Sequence, residues 1–165
     1  METSPPVRLA KVVSGGQTGV DRAALDAARE AGIPTGGWCP AGGRAEDLEE
    51  PPGLLALYPE LAETPSPNYA ERTEWNVRDS DGTLVLMPAA HRLTRGTAMT
   101  VDLAHRLGRP VVVLDPGGDG ALEEARTFID GLGEAPVLNL AGPRESGVPG
   151  VYESSRTFLG QLFER

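Results

Sequence analysis

The sequence predicts an α/β fold: a doubly wound parallel sheet of about five strands with helices on both faces. Short apolar runs alternate with amphipathic stretches along the chain, which is the pattern of successive βα units. The runs Thr83-Leu84-Val85-Leu86-Met87 and Val111-Val112-Val113-Leu114 lack period-two alternation, as expected of strands covered on both faces. Glycine-containing loops follow these runs, where such sheets gather their ligands.

In chain order, residues 1–8 are a Pro-containing lead-in and Val12-Val13 opens the first strand. Ser14-Gly15-Gly16-Gln17-Thr18-Gly19 then makes a tight loop into a helix whose apolar positions are Ala23, Ala24, Leu25, Ala27, Ala28 and Ala31. Gly32 and Pro34 stop it, and Thr35-Gly36-Gly37-Trp38 reads as a short second strand. Residues 39–67 are rich in Gly and Pro, yet Leu54, Leu55, Leu57, Tyr58 and Leu61 give them something to pack with; an ordered flap over the site is expected. Asn68 is placed to cap a helix over 68–79. The third strand is 83–87, a helix opens at Gly96-Thr97, the fourth strand is 111–114, and a helix spans 121–132. Val137-Leu138-Asn139-Leu140 is the fifth strand, and 151–164 closes the chain as a helix. Right-handed crossovers favour the strand order 2-1-3-4-5, with ligands at the switch point between strands one and three. That order brings the Gly15–Gly19 loop beside the loop Thr94–Thr97.

Composition narrows the function classes. One domain of 165 residues, 39% hydrophobic and 24% charged, is globular and long enough to bury a core. No apolar run approaches the ~20 residues that span a bilayer, and the first residues lack signal-peptide character, so a cytoplasmic protein without a membrane partner is expected. A net charge of -9 argues against a nucleic-acid surface. One cysteine, Cys39, and two histidines, His91 and His105, are too few for a closed structural zinc site. Neither histidine sits beside a nucleophile in the manner of a hydrolytic triad.

Anion chemistry is better supported. Glycine lets backbone approach a ligand, and the first turn of a helix offers unpaired N–H groups at the positive end of its dipole. The Gly15, Gly16, Thr18 and Gly19 loop and the Gly96-Thr97 loop both have that form, although the first is neither a Walker loop nor the dinucleotide fingerprint. Arg95 either clamps a phosphate or oxyanion through its planar fork or lies solvated on the surface. Asn139, Arg144, Glu145 and Ser146 cluster after the fifth strand, where Arg144 and Glu145 can also pair with each other. Asp21 would repel a phosphate, so it caps, favours the helix dipole, or accepts from a ribose or pterin donor. Tyr69 and Trp75 either stack on a planar heterocycle or, for Trp75, fill the core. Cys39 is either a soft-metal ligand or a small buried thiol.

Ser14-Gly15-Gly16-Gln17-Thr18-Gly19-Val20-Asp21-Arg22, Gly36-Gly37-Trp38-Cys39-Pro40, Tyr69 to Val77, Arg95-Gly96-Thr97 and Asn139 to Ser146 together resemble the molybdenum carrier family, over nearly the whole chain. That family resembles a circularly permuted branch of the SLOG superfamily of Rossmann-like proteins, which includes nucleotide sensors and phosphoribohydrolases that release a base from nucleoside monophosphates. The resemblance implies a cytosolic homo-oligomer that binds molybdenum cofactor (molybdopterin), or a nucleotide, or another phosphorylated small molecule. The implied site is Ser14, Gly15, Gly16, Gln17, Thr18, Gly19, Asp21, Arg72, Arg95, Gly96, Thr97, Asn139, Arg144 and Ser146. The hydrolase pattern has a glutamate three residues after its Gly-Thr pair; here Thr100 stands there, which favours binding over catalysis. If the protein is a hydrolase, Asp21, Glu71 or Glu145 would have to replace that glutamate; a sensor would act through a partner protein.

Overall fold

The computed structural model describes residues 6–164, so the first five residues of the lead-in lie outside the described residues. The chain runs β1 (Lys11–Val13), α1 (Val20–Glu30), β2 (Thr35–Gly36), β3 (Trp38–Cys39), α2 (Leu54–Leu57), β4 (Ala62–Glu63) and α3 (Tyr69–Arg78). It continues through β5 (Gly82–Leu86), α4 (Arg95–Arg106), β6 (Val111–Leu114), α5 (Ala121–Asp130), β7 (Val137–Ala141) and α6 (Val151–Leu162). Asn68 caps α3 as expected, its side chain accepting from the Ala70 N–H.

The main sheet is parallel, in the order β2-β1-β7-β5-β6. This corrects the expected order 2-1-3-4-5, because the last strand inserts between the first and third strands of that sheet. Counted from β5 instead, with the chain ends notionally joined, the same sheet reads 2-1-3-4-5. The winding is the expected one entered at a different strand, and local sequence does not encode the point of entry. Two consequences follow for the site. The switch point lies between β5 and β7, and β1 and β5 stand two strand spacings apart, about 10 Å.

Helices cover both faces. On one, α1 packs on α6 and α6 on α5. Val12, Leu84, Leu86, Leu138 and Leu140 face Ala24, Ala28, Ile129, Phe158 and Leu159 there in a continuous apolar core. On the other, α3 packs on α4. Register pairs Thr83 with Asn139 on this second face, and the Asn139 Nδ2 donates to Thr83 Oγ1 at 3.2 Å.

The expected second strand is split. Gly37, at φ 123°, turns the chain so that Thr35–Gly36 pairs with β1 while Trp38–Cys39 pairs with β4 in a separate two-stranded sheet. The 39–67 excursion is ordered by packing, since Leu54, Tyr58 and Leu61 close over Leu25 of α1 with Cys39 and Ala45. The hydroxyls of Tyr58 and of Tyr152 on α6 donate to the two carboxylate oxygens of Asp26, each at 2.6 Å, which ties the excursion and α6 to α1. Among the described residues no helix is long and apolar enough to cross a membrane.

Candidate functional site

A cavity of about 470 Å³ opens at the carboxyl ends of β1 and β7, between α3 and α4. Its volume lies within the range of small-molecule sites. Three loops and one helix face build it.

The loop after β1 is internally satisfied. Ser14 Oγ donates to the Asp21 carbonyl at 2.9 Å and accepts from the Gly16 N–H. The Gln17 N–H donates to Asp21 Oδ2 at 3.3 Å, and the Gln17 side-chain oxygen accepts from the Thr18 and Glu46 amides. These amides are therefore not free for an anion. Gly19, at φ 81°, begins α1 where any Cβ would lie 2.4 Å from the Pro143 carbonyl oxygen, so glycine there lets the β7 loop close on the helix.

From α3, Arg72 reaches into the cavity almost fully buried, with 7% exposure. Its Nη1 donates to the Gly15 carbonyl at 2.8 Å and lies 3.9 Å from Asp21 Oδ2, and its guanidinium sits 5.2 Å from the Tyr69 ring centre. Gly15 is needed for this approach, because a Cβ there would fall 2.1 Å from Nη1. Asn76 fixes α3 by bonding both backbone groups of Trp38. Burial pushes the Asp21 carboxyl up to about 6, against the lowering pull of Arg72, the Gln17 N–H and Arg22.

The loop after β5 supplies the unpaired donors. Thr94 caps α4, accepting from the Thr97 N–H at 3.3 Å, and Thr100 spends its hydroxyl on the Gly96 carbonyl. The N–H groups of Arg95 and Gly96 meet no acceptor among the described residues, as the first turn of a helix leaves them. The Arg95 side chain is exposed beside them.

The loop after β7 is held from outside. Glu46 accepts from the Thr18 hydroxyl, from the Ser146 N–H at 3.2 Å and from the Ser146 hydroxyl at 2.5 Å, with Arg144 Nε at 3.6 Å. Partial burial works against ionisation of Glu46, but these bonds outweigh it and hold the carboxyl below the usual range.

Of the residues expected at the site, Gly15, Gln17, Asp21, Arg72, Arg95, Gly96, Thr97, Asn139 and Arg144 line the cavity. Ser14, Gly16, Thr18, Gly19 and Ser146 do not; they brace the loops behind it. Thr94, Thr100, Tyr69 and Asn76 also line it. Thr94 was legible as a hydroxyl just ahead of a helical run, whereas nothing local pointed to Glu46.

Several expectations are corrected. The 39–67 excursion contributes no residue to the cavity and backs the first loop instead, so it is not a flap over the ligand. Arg144 and Glu145 do not pair with each other: Arg144 faces Glu46, and Glu145 accepts from the Gly150 and Tyr152 amides at the start of α6. Trp75 is neither core nor cavity lining, standing edge-on to Trp38 with Arg78 over its face. Of the two readings of Cys39 the structure gives the small buried thiol, fully buried away from the cavity and pushed up to about 11 by desolvation. Among the described residues no three His, Cys, Asp or Glu side chains converge to hold a metal ion.

A doubly wound parallel sheet with a cavity at the carboxyl ends of its central strands, between the loops after β1, β7 and β5, defines a Rossmann-like α/β protein. The model of the circularly permutated YpsA SLOG family matches residues 12–163, and the chain belongs to that family. Its name agrees with a sheet that reads in the common order only when counted from β5. Among solved structures the chain is similar to one from Syntrophus aciditrophicus SB named a "putative molybdenum carrier protein", at 36% identity over 98% of both chains and a TM-score of 0.85. Comparison with curated proteins finds no match.

Proposed function

We propose that the protein binds a phosphorylated small molecule in this cavity and holds it unchanged, with molybdenum cofactor as the ligand. The reading rests on the first turn of α4, whose unpaired N–H groups open beside Arg95 onto the same cavity as buried Arg72. A phosphate there meets a helix dipole and a guanidinium fork together. The residues present fit a phosphorylated pterin: Arg95, Gly96 and Thr97 would take its phosphate, and Asp21 and Asn139 would face its ring. Such a cofactor brings its own metal ligands, in keeping with the lack of a converging ligand set among the described residues. The name of the Syntrophus relative supports the same choice.

Native mass spectrometry under anaerobic conditions tests this, with molybdenum cofactor and with nucleoside monophosphates as separate ligands. A cofactor mass increment is expected, and Arg95→Ala should weaken binding about tenfold or more through loss of a charge-assisted contact. Because Arg95 is exposed, the Tm of the empty protein should stay unchanged. Unaltered affinity in Arg95→Ala would overturn the assignment of the phosphate end.

A second reading, hydrolysis of an N-glycosidic bond, is favoured by one observation. Of the three carboxylates that could act as acid or base, Asp21 alone lines the cavity. Glu71 accepts from the Ser66 N–H, and Glu145 is spent on α6. Release of free base from a bound nucleoside monophosphate, lost in Asp21→Asn, would replace the carrier reading with this one.

A further inference from the structure

Asp21 is 8% exposed and lines the cavity, yet only one of its oxygens has a hydrogen bond. Oδ2 takes the single long bond from Gln17 and lies near Arg72, while Oδ1 meets no donor among the described residues. An ionised carboxylate has about four acceptor positions, so most of this one's capacity is unused. The free oxygen opens onto the cavity, where a ligand donor can reach it.

The chemistry of the missing donor can be narrowed. It is not a phosphate, which the carboxylate would repel and for which the Gly16, Gln17 and Thr18 amides are already spent. A cation is disfavoured by the Arg72 guanidinium 3.9 Å away. Neutral N–H or O–H donors remain. Position separates these two, because α1 follows β1 and α4 follows β5, with β7 between them. A ligand with its phosphate on α4 therefore reaches Asp21 about 10 Å away. In a nucleoside monophosphate the ribose hydroxyls lie close to the phosphate, and the far edge of the heterocycle spans this distance better.

We infer that Asp21 is the specificity-determining acceptor for a 2-amino-4-oxo heterocycle, the edge with adjacent N–H and NH₂ donors that guanine and pterin share. The inference rests on the phosphate reading of α4 given above. One carboxylate offers an oxygen to each donor, as bidentate recognition requires, with the Arg72 guanidinium 3.9 Å from Oδ2 beside it in the cavity wall. Burial raises Asp21 only to about 6, so the carboxylate is ionised and able to accept at pH 7.5.

Titration calorimetry at pH 7.5 with matched probes tests this. Guanosine monophosphate should bind about tenfold tighter than inosine monophosphate, which lacks only the amino group. It should bind about a hundredfold tighter than adenosine monophosphate, which lacks the ring N–H as well. The same comparison between a pterin phosphate and its 2-oxo lumazine counterpart identifies the source of the edge, the larger preference naming the ring. Asp21→Asn should bring these ratios to within about threefold while adenosine monophosphate binding persists. Equal affinities of the wild-type protein for guanosine and inosine monophosphates would overturn the inference and leave the phosphate site standing. Failure of every phosphorylated probe to bind would overturn both. The wild-type ratios need no variant to fold.

Discussion

On the face of the sheet covered by α1, α5 and α6, the strands present Leu84, Leu86, Leu138 and Leu140 to a continuous apolar core. On the face covered by α3 and α4 they present Thr83 and Asn139, under Thr97, Thr100, Asn76 and Arg72, all of them buried. The same strands supply both surfaces by alternating side chains. One face is filled to closure and the other keeps polar groups around a cavity, which assigns stability mainly to the first and recognition to the second.

The largest test of that division falls on the closed face. Leu138 is fully buried in that core and does not line the cavity; Leu138→Ala should cost about 3 kcal/mol in denaturant unfolding and leave affinity unchanged under conditions where the variant is folded. Loss of binding with no loss of stability would reverse the assignment.

The next test uses Asp21, whose folded pKa of about 6 stands above its ordinary value of 3.8. Between those values the folded chain binds more protons than the unfolded one, so the Asp21 contribution to stability falls as pH rises and is fully lost above about 6. The groups that set this balance are Arg72 from α3, Arg22 from α1 itself and the Gln17 amide. Glu46, Asp47, Glu60 and Asp79 have lowered pKa values and push the opposite way, so the difference between wild type and Asp21→Asn isolates the effect. From pH 4 to pH 7 that difference should move against the wild type by on the order of 2 kcal/mol. A flat difference would mean that Asp21 is not desolvated.

The smallest expected effect sharpens the comparison most. Replacing both members of the Thr83–Asn139 pair by apolar residues, Thr83→Val with Asn139→Leu, leaves no unpaired partner and should change stability by no more than about 1 kcal/mol. Binding should nevertheless fall, since Asn139 lines the cavity. A loss of several kcal/mol with binding retained would show the polar pair to be structural.

Much of this was legible from local chemistry. The β1 loop with its helix, the Asn68 cap, the apolar runs of β5 and β7 and the Gly96-Thr97 helix start each follow from neighbouring residues. Strand order was not, because Val111-Val112-Val113-Leu114 is wholly apolar and Val137-Leu138-Asn139-Leu140 is interrupted by an asparagine, yet the first lies at the edge and the second at the centre. The excursion hid its order for a related reason: Leu54, Tyr58 and Leu61 recur at a helical i, i+4, i+7 spacing, yet only Leu54–Leu57 is helical and their order comes from contact with Leu25. At the site, Arg72 stood in a recognisable stretch, but its burial depends on the bare Gly15 backbone 57 residues earlier. Glu46 carried no signal, since its partners Thr18 and Ser146 meet only after the sheet has formed.

The central place of β7 also sets an order of events during synthesis. While the ribosome has delivered only residues before 137, β1 can pair with β2 and β5 with β6, but no strand pairs the two halves into one sheet. Each half then exposes the edge that β7 later covers, on β1 and on β5, a state prone to wrong pairing. The strand that joins them also brings Asn139 and the loop that Glu46 holds. Closure of the sheet and creation of the cavity are thus one late step, and nascent chains released before β7 should neither fold nor retain ligand.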